Sequence, residues 1–481
     1  MTLSSVLEEN IQYIESHLPV KDSFDLITRQ LYLGKTKAFF LGVNGFCKTD
    51  ILQQIFSDLQ NPIYMQNDSV EEIRQYMNAR IGYAQASLSD SWDDIIRNVL
   101  SGPAALFVDG FAQAILIDAR TYPARSIEEP DLEKVTRGSR DGFVETLLFN
   151  ANLIRRRVRS PRLVFSMHSV GTESKTDVAV SYLENSVNRN LLEKLTATLD
   201  SLRASSLTMG ATSLEELLLH KRWWNLMPSI QVTERPDVAC SYLMEGHILI
   251  LVDNSPQVLI LPCTIFQFTQ NPEDYYKSPF VGTYFRMVRF LCIPVSLLLL
   301  PLFLLITAHF PAAAQAWGLL SDAGMTPQRL LFYVLAVEFL LDLFKYSSSL
   351  SSGKFSGSLS IVGGLIIGDI AVSLNWASTD VLFYAAVTLL ASLAITDTAF
   401  SDAIRLYRIL LILATGSGGL PGFLIGAALV LFSIVTTPTF GGFSYFWPLF
   451  PFNGKALGRL LFRSPTFKAQ PSSVWDRGQT H

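Results

Sequence analysis

Residues 105–119 read ALFVDGFAQAILIDA, two apolar runs set either side of Asp109-Gly110, and residues 247–263 repeat the device as HILILVDNSPQVLILPC around Asp253-Asn254. Such steps supply the positive φ that a tight turn between antiparallel strands needs, so each stretch predicts a β-hairpin in the core of a sheet. Working outward, 37–43 (KAFFLGV) is strand-like, and 50–59 (DILQQIFSDL) has apolar residues at helical spacing behind Asp50, which can cap it. Residues 3–16 suggest an amphipathic helix, 22–32 a strand or helix, and 141–158 and 188–202 two further helices. The N-terminal region is therefore α+β, expected as two subdomains over 1–160 and 161–282.

Apolar residues are unevenly distributed over the 481-residue chain. Mean hydropathy is positive and only 17% of residues are charged, yet most long uncharged runs fall within 287–453. The net charge of −4 gives no electrostatic footprint for nucleic acid. Four cysteines, Cys47, Cys240, Cys263 and Cys292, form no CxxC pair, and six histidines are scattered, so neither a disulfide framework, a metal site nor a cofactor is expected. The first residues, MTLSSVLEENIQYIE, lack the basic and apolar regions of a signal peptide, which predicts a cytoplasmic N-terminal region.

Two stretches invite a chemical reading. Residues 42–49 (GVNGFCKT) differ from a phosphate-binding loop only where Cys47 replaces the second glycine; a Cβ there obstructs the backbone conformation that turns successive amides towards phosphate, which favours a plain strand, turn and helix. Residues 118–162 are densely charged: Glu128, Glu129, Asp131 and Glu133, then Arg137 and Arg140, Asp141 and Glu145, and finally Arg155, Arg156, Arg157, Arg159 and Arg162. Glu128 with Glu129, or Asp141 with Glu145 on one helical face, could form a carboxylate pair for acid–base work. No histidine or nucleophile joins them at a recognisable spacing, so arginine–carboxylate pairing at a subdomain or subunit junction is the favoured reading, and no enzymatic activity is expected.

Residues 123–159, PARSIEEPDLEKVTRGSRDGFVETLLFNANLIRRRVR, resemble the signature of the GerA family of bacterial spore germination proteins, of the A-subunit type. Further stretches, SKTDV (174–178), TERPDV (233–238), YSSSLSSG (346–353), LNWAS (374–378), TTPTFG (436–441) and YFWPLFPFNGKA (445–456), extend the resemblance from about residue 20 over nearly the whole chain. It implies a protein of the spore inner membrane that assembles with other membrane germination proteins and takes part in the signal or ion release that ends dormancy; the alternatives are a nutrient germinant receptor subunit that binds a small ligand, or a scaffold that conducts nothing. Glu128, Glu129, Pro130, Asp131, Arg137, Gly138, Arg140, Asp141, Gly142, Glu145 and Arg155 to Arg157 would serve assembly.

The membrane region is legible without the family. Residues 290–308 carry no charge and reach the length that spans the hydrocarbon core, and Arg286 and Arg289 precede them on the expected cytoplasmic side. Residues 330–346, 359–374 and 381–396 are further segments, and 409–453 is uncharged but broken by GSGGLPG (416–422), as one kinked helix or a tight pair. An all-α polytopic membrane domain of five or six helices over 283–453 is expected, contacting lipid and followed by a basic cytoplasmic tail, 454–481. Within it Glu338, Asp342 and Asp369 stand at membrane depth, where charge is costly. In a homo-oligomer they would form acidic rings along a cation pathway; the alternative is a solvated interfacial helix.

Overall fold

The structure is a computed structural model and describes residues 2–33, 36–60, 85–120, 138–219, 224–316, 326–350 and 378–462. Met1–His220 with Ile230–Pro262 form one compact unit, and Lys221–Ser229 with Cys263–Lys468 a second.

The first unit is built twice on one plan. Helix α1 (Leu7–His17), strands β1 (Leu26–Leu33) and β2 (Thr36–Val43), helix α2 (Thr49–Gln60), strand β3 (Gln85–Ser89), helix α3 (Trp92–Ser101) and strands β4 (Ala104–Val108) and β5 (Ala114–Asp118) make an antiparallel sheet of order β1-β2-β4-β5-β3. The second copy runs α4 (Leu147–Arg157), β6 (Leu163–Val170), β7 (Thr176–Leu183), α5 (Arg189–Ser201), an added α6 (Ala211–Leu218), β8 (Gln231–Thr233), α7 (Pro236–Met244), β9 (Ile248–Val252) and β10 (Val258–Leu261), in the order β6-β7-β9-β10-β8. Both expected hairpins are present, as β4–β5 and β9–β10. Residues 22–32, open between strand and helix, contribute β1. Strand β4 is buried along its whole length because the first sheet is covered on both faces. Phe39, Leu41, Phe107 and Leu116 pack with α1 and α3, while Phe40, Leu106, Ile115 and Ile117 pack with Ile55 of α2.

The two turns hold more than their strands. The Asp109 carboxylate accepts the amide of Leu7, first residue of α1, at 3.1 Å, and Asp253 accepts that of Leu147, first residue of α4, at 3.2 Å. Three residues into each helix an asparagine closes the preceding loop: Asn10 exchanges two hydrogen bonds with the backbone of Ser4, and Asn150 with that of Val144. Helix α4 therefore starts at Leu147, and residues 141–146 are its approach, not its first turn. Asp141 and Glu145 do not share a helical face, contrary to the sequence expectation, because Asn150 and Asp253 fix the chain in a loop up to Thr146.

The two copies meet at a buried ion pair. Arg155 of α4 donates to Asp25 at 2.7 and 3.3 Å and to the carbonyls of Ser160 and Leu163, and neither charged side chain has any exposure. Ser23 donates to the same carboxylate at 2.5 Å and accepts the Phe165 amide at 2.9 Å.

In the second unit the long helices are α8 (Pro279–His309), α9 (Pro327–Leu350), α10 (Thr379–Leu393) and α11 (Thr398–Val435), followed by α12 (Gly454–Leu461). Among the described residues, only α8 and α11 are by length and composition long and apolar enough to cross a membrane, and they contain the expected 290–308 and the first part of 409–453. Charges interrupt the apolar run of α9, which holds 330–346. Helix α10, which overlaps the expected 381–396, has 15 residues, about 22 Å, against a core of about 30 Å. The expected segment 359–374 with Asp369 lies outside the described residues. Two candidate spans are thus found among the described residues, against five or six expected.

Helix α11 is not straight. Tyr407 and Ser433 would lie about 39 Å apart along a continuous helix, yet their hydroxyls are 2.7 Å apart. The chain reverses at Gly419, whose φ of 58° and ψ of −138° suit glycine, with Pro421 in the first turn of the returning half, where its missing N–H costs nothing. A Cβ on Gly422 would stand 2.0 Å from the Ala414 carbonyl oxygen, so the halves touch through backbone. The GSGGLPG break is therefore a tight pair.

Two outcomes follow for the full chain in detergent. Arg155→Leu strands the Asp25 carboxylate and is expected to destabilise the first unit by about 3–5 kcal/mol in thermal or urea unfolding; the double variant with Asp25→Leu should recover much of that loss. His247 is fully buried beside Tyr242, and desolvation pushes its pKa down from 6.5 to about 4. The unfolded chain binds this proton more readily, so stability should fall as pH drops below about 6.5, by at most about 1.4 kcal/mol per pH unit, and level off below about 4. His247→Gln should flatten that slope.

Candidate functional site: an ion-pair ladder in the helical unit

Glu338, Asp342 and Lys345 follow one another at i, i+4 and i+7, so they line one face of α9. Asp402, Arg405 and Arg408 do the same, at i, i+3 and i+6, on the outgoing half of α11. The two faces run antiparallel and pair in order: Glu338 with Arg408 at 2.9 Å, Asp342 with Arg405 at 3.0 Å, and Lys345 with Asp402 at 2.6 Å.

The rungs differ in burial, and burial decides which matters. Glu338 is 2% exposed and Arg408 3%, whereas the side chains of Lys345 and Asp402 are 36% and 48% exposed. An exposed pair contributes at most about 1 kcal/mol, while removing one partner of a buried pair costs about 3–5 kcal/mol. Arg408 meets Glu338 through Nε and Nη2, both at 2.9 Å, and donates through Nη1 to the carbonyl and hydroxyl of Ser296 on α8 at 2.9 and 3.0 Å. One guanidinium thus ties three helices, in the planar two-pronged geometry that lysine cannot supply. The alternative of a solvated interfacial helix does not hold for Glu338.

Sequence reasoning singled out the acids and missed their partners. Arg405 and Arg408 sit just before the uncharged run, and their i, i+3 spacing with Asp402 was the available signal. Of the third expected acid, Asp369, nothing is described.

The charged signature is distributed among several tasks. Glu128, Glu129, Pro130, Asp131 and Arg137 lie outside the described residues. Gly138 has φ 129°, a left-handed conformation that opens the approach to α4. Asp141 receives Arg157 at 2.5 and 2.6 Å and the Ser139 hydroxyl, and these bonds hold its carboxyl below the usual range against the opposing effect of burial. Arg235 donates to the Ser139 carbonyl at 3.0 Å and to Asp237. Arg155 makes the buried junction described above. Arg140, Glu145 and Arg156 are exposed, and Gly142 is half-buried between them.

The phosphate-loop look-alike is occupied by its own fold. The Asn44 amide donates to the Asp25 carbonyl, that of Phe46 to Val43 and that of Lys48 to Ala119, so these three do not converge on a ligand. Cys47 donates to the Gly102 carbonyl, and burial pushes its thiol up to about 11. Asp109, just after the end of β4, accepts the first amide of α1. Among the described residues no group of histidine, cysteine or acidic side chains is placed to hold a metal ion.

Comparison with known proteins places the chain. It is 31% identical to stage V sporulation protein AF of Bacillus subtilis (strain 168) over 471 residues, covering 97% of this chain and 94% of that one. It is 28% identical to spore germination protein KA of the same organism over 480 residues, covering 98% and 87%. Among solved structures, the N-terminal domain of the A subunit of the Bacillus megaterium spore germinant receptor GerK3 is 24% identical, covers 54% of this chain and 96% of that one, and gives a TM-score of 0.41. The family described as Bacillus/Clostridium GerA spore germination protein matches residues 12–473. The chain belongs to the GerA family of spore germination proteins.

Proposed function

We propose that this chain is a multi-pass protein of the spore inner membrane, with its α+β unit on the cytoplasmic side, that assembles as an oligomer with itself and with other germination proteins and takes part in germination signalling and cation release. No catalytic step is assigned to it. Family membership supports the germination role, and the apolar helices α8 and α11 support the membrane. The observation that carries the mechanism is the Glu338–Arg408 pair, a charge buried among apolar helices where charge is costly and is kept for use. Both acids are neutralised by arginine, which supports reading this conformation as a closed arrangement. Sliding α9 along α11 would release Glu338 and Asp342 together, because they share one face and one partner helix. Acidic side chains freed in this way favour cations.

A charge exchange tests the mechanism. Glu338→Gln alone should lower the protein level, since Arg408 is left buried and unpaired at a cost of about 3–5 kcal/mol. Glu338→Arg with Arg408→Glu should restore the level while altering the rate of cation release in germinating spores, because the carboxylate now stands on the other helix. Release at the wild-type rate from the exchanged protein would reduce the ladder to a structural tie. Arg140→Glu, at an exposed signature position, should leave unfolding unchanged and reduce the oligomeric fraction in chemical crosslinking. An unaltered oligomer would remove Arg140 from the assembly surface.

A further inference from the structure

The stretch around α12 carries exposed aromatic side chains in a part of the sequence whose charged residues are all basic. Phe450 is 74% exposed, Phe452 72%, Phe462 58% and Leu449 49%. Near the start of α8, Phe280 is 84% exposed and Tyr284 60%, with Phe285 beside them. The two groups are tied together within the helical unit, because Arg286 of α8 donates to the Leu460 carbonyl in the last turn of α12 at 2.8 Å while its guanidinium lies over the Tyr275 ring. Arg286 and Arg289 are themselves buried against Asp274, so the face of α8 that carries Gly282, Arg286 and Arg289 is turned inward and the aromatic face outward.

Water is a poor neighbour for that much exposed aromatic area, and the hydrocarbon core is a poor neighbour for the charges beside it. Lys455 is exposed on α12. Along the sequence Lys455, Arg459, Arg463 and Lys468 follow one another, and no acidic residue occurs between Asp402 and Asp476. Phenylalanine and leucine side chains joined to basic residues on a short amphipathic helix find their best environment at the boundary between acyl chains and headgroups.

We infer that α12 with residues 449–453 and Phe462 is an interfacial foot that lies along the membrane surface and binds anionic phospholipid headgroups, its rings in the boundary layer and its basic residues at the phosphates. The surface rests on the membrane placement proposed above but not on cation release. Charge complementarity selects the lipid: an anionic leaflet attracts each nearby Lys or Arg strongly enough to change affinity roughly fivefold, and a zwitterionic one does not. Arg286 makes the foot part of the helical unit, since it fixes the end of α12 to the first turns of α8.

The test uses the full-length protein in mild detergent, followed by thermal unfolding while phosphatidylglycerol, phosphatidylcholine or inorganic phosphate is added. Phosphatidylglycerol should stabilise at a concentration at least about fivefold below that needed for phosphatidylcholine, with the difference shrinking as salt is raised. In Lys455→Gln with Arg459→Gln the preference should fall roughly fivefold for each charge removed. Phe450→Ala with Phe452→Ala should weaken both lipids alike. Equal action of the two lipids, equal action of inorganic phosphate, or a preference that survives loss of both charges would overturn the proposal. Flotation of the same variants with reconstituted vesicles separates the two readings: protein that stays inserted without headgroup preference rejects the foot and leaves the membrane placement standing.

Discussion

The α+β unit depends on one buried ion pair. Asp25 precedes β1, Arg155 lies in the last turn of α4, and both are sealed from water where the two copies of the fold meet. A buried charge pair is a weak contributor to stability when compared with a well-packed apolar substitute, but it is exacting about geometry, since half of it cannot be tolerated. Arg155 satisfies this with four of its five N–H donors: the carboxylate takes two, and the carbonyls of Ser160 and Leu163 take one each. Ser23 bonds both the carboxylate and the β6 amide of Phe165, so the first copy can reach the second in one register only.

The helical unit follows the same rule in a more demanding setting. Arg408 spends its donors on Glu338 and Ser296 and thereby fixes α8, α9 and α11 against one another. The rungs above it, Asp342–Arg405 and Lys345–Asp402, become progressively more exposed. The ladder is therefore graded in burial, sealed at Glu338 and open to water at Lys345.

What could be read in the sequence was local. The hairpins around Asp109-Gly110 and Asp253-Asn254, the α2 helix and the apolar run of α8 each announce themselves through turn chemistry or periodicity within a few residues. The strictly repeated fold did not, because the two copies share geometry and capping residues rather than a sequence pattern; the matching turns were the visible trace. The start of helix α4 is not legible locally, because its approach, DGFVET, carries charges at helical spacing, while the groups that hold it as a loop, Asn150 and Asp253, lie outside it. In the site, Glu338 and Asp342 stood out as acids in an apolar segment, but a partner 70 residues away leaves no local mark. The GSGGLPG break was legible as a break, and only the backbone angles at Gly419 decide that the helix reverses.

The duplicated sheet has a mechanical consequence. The chain returns from the helical unit at Ile230, directly into β8, and departs for it again at Pro262, directly from β10. These strands are antiparallel neighbours, with Gln231 opposite Ile260, so the entry and the exit lie side by side. Strand β10 is also bonded along its other edge to β9. Tension on the exit from β10 therefore loads two ladders lengthwise, in shear, where the hydrogen bonds must fail together instead of peeling one at a time. The second copy of the fold is anchored to resist force at the point where the chain leaves it.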